Sequence, residues 1–216
     1  VTLFFAIAAS HGLLYSLFFA IYSQLTGHSE LSIAAFAMVG SLAVSFYYNV
    51  ISDKRKIFMG DSGSLLLGYM INLYVFAFCE MNANSAVPQQ FQMKAAPVVA
   101  VSVLIIPLFD TARVMLTRIK KGYSPFRADK NHVHHLMLSL GLKHLEVTFI
   151  LMGITVGFTI FSLLARNLPN GVLAAIDIII CLGLTKLLWI LVDKKKMQNS
   201  ENQKINKEHN NVQTKA

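Results

Sequence analysis

Apolar runs of membrane-crossing length, separated by short charged clusters, constrain this sequence more than any other feature. A run of roughly 20 apolar residues spans the hydrocarbon of a bilayer as a helix. Six such runs lie at about 3–24, 31–50, 64–81, 96–116, 146–165 and 172–192. Only 14% of the residues are charged and 55% are hydrophobic, whereas soluble domains carry about 25% charged residues. The expected fold is all-α, a polytopic membrane helix bundle of about six transmembrane helices over residues 1–192. Residues 193–216 are too polar to bury a core and are expected to form a disordered cytoplasmic tail. No internal repeat or separate soluble domain is visible.

The formal charge of +8 does not point to nucleic acid. In a polytopic protein, Lys and Arg first report orientation. One side collects Lys54, Arg55 and Lys56, then Arg118, Lys120, Lys121, Arg127, Lys130 and Lys143, then the tail lysines; the other has Lys94 and Arg166. The rich side is expected to be cytoplasmic. Cys79 and Cys181 sit inside apolar runs, which suits small packing residues and not a disulfide or a zinc site.

Two polar stretches carry chemistry, and both fall on the expected cytoplasmic side. The first is Ile57-Phe58-Met59-Gly60-Asp61-Ser62-Gly63-Ser64, directly before the third span. Ser62 or Ser64 can cap the helix that follows. Free N–H groups and the helix dipole there favour a phosphate. Asp61 supplies an oxygen ligand suited to Mg²⁺, which binds through one or two carboxylates plus substrate phosphates. The alternative is a helix entry whose Gly60, Ser64 and Gly68 form a four-residue packing stripe.

The second stretch, Arg118 to His135, sets His132, His134 and His135 within four positions, just after Arg127, Asp129 and Lys130. As a helix, His132 and His135 share a face, leaving His134 turned aside; as a strand, His132 and His134 do. Such a cluster can bind anions, shuttle protons or hold a transition metal. Metal is disfavoured, since no cysteine and only Asp129 stand nearby. The basic residues alone suit a loop held to anionic lipid head groups. Asp110 and Arg113, at i and i+3 near the end of the fourth span, are read as a mutual ion pair, with a catalytic role as the alternative. Asp177 and Lys186 in the last span, and the isolated His11, His28, His144 and His209, carry no assignment.

FMGDSGSLLLGY at 58–69, IPLFD at 106–110 and SPFRADKNHVHH at 124–135 together resemble the polyprenyl-phosphate N-acetylhexosamine-1-phosphate transferases of glycosyltransferase family 4. The resemblance runs from about the second span to the sixth, and the motifs in this order are specific where either alone is not. It implies that Asp61 is a magnesium ligand, that Phe58 lies against a uracil ring, and that His132, His134 and His135 are required for activity. With it come Gly60, Ser62, Arg127, Asp129 and Lys130 as substrate-binding candidates. Mg²⁺, with Mn²⁺ as a substitute, is the implied cofactor. The spaced His-Val-His-His resembles the N-acetylglucosamine branch more than the muramoyl-pentapeptide branch.

The implied reaction moves a sugar-1-phosphate from a UDP-sugar donor to a polyprenyl phosphate acceptor at the cytoplasmic face of a bacterial inner membrane. Membrane lipid is a partner, nucleic acid is not, and an oligomer is compatible with the sequence. The family's aspartate pair and its Asn/Asp-rich Asp-Gly motif are not found, and no Asp-Asp dipeptide occurs. The chain is therefore expected to be the C-terminal part of a longer enzyme and inactive alone. Two other classes stay open: a transporter, which would place its polar sites near the midplane, and a non-catalytic membrane remnant.

Overall fold

The structure is a computed structural model that describes residues 2–52, 57, 59–84, 87–126 and 132–213, with backbone alone for 2–5, 50 and 199–213. Phe58, Arg127, Asp129 and Lys130 lie outside the described residues. The described chain is helical: α1 (Thr2–Leu25), α2 (Ser29–Phe46), α3 (Gly60–Ala83), α4 (Ala96–Ser102), α5 (Ile105–Lys120), α6 (Val133–Ser139), α7 (His144–Leu164) and α8 (Asn170–Gln213). A π-helical turn at Tyr47–Ile51 extends α2. Five helices are long and apolar enough to cross a membrane, and a sixth crossing is a bent pair.

The turn from α1 to α2 is set by one glycine. Gly27 has φ +86°, a conformation that glycine adopts without steric cost. His28 N–H then donates to the Ser23 carbonyl at 2.9 Å and Gly27 N–H to Gln24 at 3.4 Å, the hydrogen bonds of a Schellman helix stop. The chain reverses, and Ser32 Oγ donates to the Ala20 carbonyl at 3.0 Å across the hairpin.

α1 is the hub of the bundle. Of its span 61% is buried, against 17% for each of α2, α3 and α8, so those three leave most of their surface exposed. Paired contacts give the directions. Gly12 of α1 meets Leu67 of α3, Phe19 stacks on Tyr74 at 4.6 Å, and Tyr22 meets Phe78 at 4.6 Å. Both numbers rise together, so α1 and α3 run parallel. α7 is parallel to α1 too, since Ile7 packs with Val147 and Leu151 and His11 bonds Thr155. α8 is antiparallel to α7 through Ser162–Asp177 and Phe158–Cys181. The passes thus alternate, as six spans joined by short loops require.

The fourth span departs from expectation. It is not one continuous helix over 96–116. α4 and α5 are bent by 82° at a break between Ser102 and Ile105. Pro107 explains the position. It has no N–H to bond the Val103 carbonyl, and its ring would crowd that carbonyl, so it fits only in the first turn of a new helix. Ser102 Oγ, bonding the Val99 carbonyl at 2.7 Å, draws on the last turn of α4.

The tail departs as well. Its backbone is helical through Gln213. Polar composition forbids burial but not helix, because elongation from an existing helix avoids the cost of nucleation. Lys195 near its start donates Nζ to the Leu140 carbonyl.

Candidate functional site

The parallel run of α1, α3 and α7 brings three helix N-termini to one end of the bundle. Residues 60–64 open α3 at that end, and the histidine stretch opens α6, whose Met137 packs with Val147, Leu151 and Ile7. The two motifs, far apart in sequence, therefore share one end. Among the described residues no contact joins Asp61 to the histidines.

Asp61 sits in the first turn of α3 and is exposed. No hydrogen bond or ion pair to its carboxylate is seen among the described residues, which leaves a hard oxygen donor beside free helix N–H groups. Nor do three or more His, Cys, Asp or Glu side chains of the described residues gather to share a metal. Asp61 thus offers a cation one protein ligand. That fits Mg²⁺ or Mn²⁺ bound largely through substrate phosphates and water.

Neither serine caps α3. The helix starts at Gly60, earlier than expected, so Ser62 and Ser64 fall inside it and no side chain caps it. Ser64 Oγ instead bonds back to the Asp61 carbonyl at 2.9 Å. Gly60 has φ +69°, so a side chain there would be strained. The packing-stripe alternative finds no support within the chain: a Cβ on Gly68 would meet no heavy atom within 4 Å.

The histidines form a row. His132 is the residue before α6, in extended conformation, while His134 and His135 lie in its first turn. The His132 and His134 rings stack with centroids 5.6 Å apart and 13° between planes. His134 and His135 are 4.3 Å apart at 39°. His134 is thus not turned aside but stands between the other two. Its change of conformation from His132 onward, extended then helical, is what defeats both simple periodicities. Burial first, then the neighbouring His135 and His132, push the His134 pKa down to about 4, so its ring is neutral at pH 7.

Asp110 is the residue that sequence reasoning undervalued. Its ion pair with Arg113 is present, at 2.8 Å, but it is only one contact of four. Asp110 Oδ2 accepts from His132 Nδ1 at 3.0 Å. Val133 N–H, the first of α6, points at both oxygens at 3.1 Å. A buried carboxylate therefore holds the start of the histidine helix. The signal was Asp110 itself, an acid inside a span, where charge is costly without partners; its partner 22 positions on could not be read from periodicity.

Beside Asp110 an apolar cavity of about 230 Å³ opens between α5, α6, α7 and α8. Ile106, Phe109, Met137, Ile154, Cys181 and Leu188 are among its walls, and Asp110 and Val133 stand at its polar rim. The bend before α5 produces this space, by turning α5 away from the line of α4.

Comparison with known proteins fits this arrangement. Residues 6–78, which include α1, α2, Gly60 and Asp61, match the model of glycosyl transferase family 4. The undecaprenyl-phosphate alpha-N-acetylglucosaminyl 1-phosphate transferase of Escherichia coli (strain K12) is 32% identical over 117 residues, 53% of this chain and 29% of that protein. The protein of the same name from Pasteurella multocida (strain Pm70) is 35% identical over 116 residues, 52% of this chain and 30% of its own length. The Yersinia pestis protein is 31% identical over 118 residues, 54% and 30%. The match thus spans under a third of these relatives. No solved structure matches the chain. The stretch similar to that family ends within α3, so Asp61 lies inside it while Asp110 and the histidines lie beyond it.

Proposed function

We propose that this protein transfers N-acetylglucosamine-1-phosphate from its UDP-sugar to undecaprenyl phosphate, releasing UMP, at the cytoplasmic face of a bacterial inner membrane, as an early step of cell-envelope polysaccharide synthesis. The observation that carries this reading is the junction at Asp110, which lines an apolar cavity within the bundle and bonds His132, the first of the histidine row. A lipid phosphate needs both: an apolar channel for its chain and donors for its head. The relatives' printed name supports the acceptor and the sugar.

An oxygen of the acceptor phosphate attacks the sugar-linked phosphorus, the bond to UMP breaks, and UMP carries away the negative charge. Asp61 would hold Mg²⁺ or Mn²⁺ against the diphosphate, whose oxygens the N–H groups that open α3 would receive, and the cation when bound neutralises charge there. His135 donates to a phosphate oxygen and His132 turns Nε2 toward the acceptor phosphate, with neutral His134 packed between them. Arg127 and Lys130 clamp phosphate oxygens, Asp129 and Ser62 assist, and Phe58 covers the uracil. Positioned charge supplies most of the rate in such a reaction. Gly60 lets the backbone approach the diphosphate where a Cβ would stand in the way.

The test is transfer of label from UDP-[¹⁴C]N-acetylglucosamine to undecaprenyl phosphate by the purified protein expressed from its whole reading frame. One mole of UMP per mole of labelled lipid is expected, lost on chelation and restored by Mg²⁺. Folded protein that transfers no label from any UDP-N-acetylhexosamine would overturn the proposal.

A further inference from the structure

We infer that Asp110 is a positioning residue for the reaction proposed above, holding His132 by its Nδ1–H so that Nε2 faces the acceptor phosphate with its lone pair and takes up that phosphate's hydroxyl proton. The inference rests on that functional reading for its consequence, but its geometry stands alone.

An ionised carboxylate only accepts hydrogen bonds. At 3.0 Å from Asp110 Oδ2, His132 Nδ1 must therefore carry the proton. The same two oxygens take the Val133 N–H, which locks the backbone that bears the ring. Arg113 Nη2, 2.8 Å from Oδ1, anchors the carboxylate from one turn further along α5. Ring orientation and tautomer are thus set by one buried group on another helix. Carboxylates hold histidines in this way in metal sites and in triads, where the distant partner tunes a ring it does not share with substrate.

The bent span explains why the partner comes from α5. A straight helix from Ala96 would carry residue 110 on along the axis of α4. The 82° turn swings Asp110 under the start of α6 instead. Pro107 and Asp110 then belong to one device, the first placing the second.

The variant that separates positioning from packing is Asp110→Asn. Asn keeps the shape and an acceptor for Arg113 and Val133, but turns an N–H₂ toward His132 Nδ1. That favours the opposite tautomer. A fall in kcat of about 100-fold or more is expected, with KM for the UDP-sugar little changed, as for loss of a general acid–base or polar contribution. In a His132→Gln background the same change should cost nothing further, because a residue that acts only through His132 is silent without it. ¹⁵N NMR of histidine-labelled protein, with the His132→Gln spectrum assigning the signal, should show Nδ1–H in the wild type and its loss in Asp110→Asn.

Additive losses in the double variant, or an unchanged His132 tautomer in Asp110→Asn, would overturn the inference. Should the wild type prove to have no transferase activity, the functional reading falls and the tautomer decides by itself: loss of Nδ1–H supports the positioning role, and its retention defeats it.

Discussion

The two ends of the bundle are built on opposite principles. At the end away from the histidines, polar groups are used to close the structure. Asn82 is buried and donates to Tyr22 Oη at 2.9 Å and to the Phe78 carbonyl at 2.8 Å, and accepts from Met93 N–H at 2.9 Å. Ala95 N–H bonds the Arg166 carbonyl at 3.0 Å, and Arg166 reaches the Gln90 carbonyl at 3.2 Å. Aromatic pairs, Phe19 stacked on Tyr74 and Tyr22 tilted against Phe78, fill the space beneath. Three of these polar contacts tie the loop before α4 to α3 and to the loop after α7.

The histidine end spends its polar groups differently. Asp110 orders one short helix and one imidazole, and the exposed Asp61 at the head of α3 has no partner among the described residues. The difference teaches where chemistry can occur. Groups matched to one another are held in place, while exposed unmatched groups on rigid helices are available to a ligand.

The largest effect that would sharpen the contrast is on Asp61. In the enzyme expressed from its whole reading frame, Asp61→Asn should lower turnover by at least about 10²–10³-fold, the loss that follows removal of one electrostatic contact to a transition state. Its melting temperature should not move, because no described interaction is lost. Normal turnover would reduce Asp61 to a helix-entry residue and blur the two ends.

The mirror experiment is Asn82→Leu. It strips three hydrogen bonds from the closed end and should cost about 1–2 kcal/mol, the scale of interhelical polar contacts in membranes. Turnover per folded molecule should stay at the wild-type value. A large fall in kcat with little loss in denaturation midpoint would show that the closed end takes part in the reaction.

A smaller effect concerns His134. Its pKa is pushed down to about 4 from the ordinary 6.5. Above pH 6.5 the folded and unfolded rings are both neutral and the ring adds no pH dependence. As pH falls from there toward 4, the unfolded chain takes up a proton that the folded chain refuses, so stability declines. His134→Gln should flatten that decline, read as the difference in melting temperature between about pH 7 and about pH 5. An unchanged slope would mean that the ring is solvated and not pressed between its neighbours.

Much of this was legible in the sequence. Apolar length fixes the spans, because a bilayer tolerates few alternatives to a helix, and Asp61 is readable as an acid at the entry to the third. The break in the fourth span was less so: Pro107 was visible, but a proline near a helix end can start, kink or stop it, and packing decides among these. The capping serines were misplaced by the earlier start of α3. The Asp110–His132 pair was hidden because it is made by the bend, and a bend has no periodicity.

The central claim is that chemistry belongs to the histidine end, on the side rich in Lys and Arg. Sealed membrane vesicles of known orientation test it directly, since a UDP-sugar does not cross a bilayer. Inverted vesicles, with that side outward, should transfer label from external UDP-sugar to undecaprenyl phosphate at the full rate. Right-side-out vesicles should be inactive until permeabilised. Full activity in intact right-side-out vesicles, and none in inverted ones, would contradict the account.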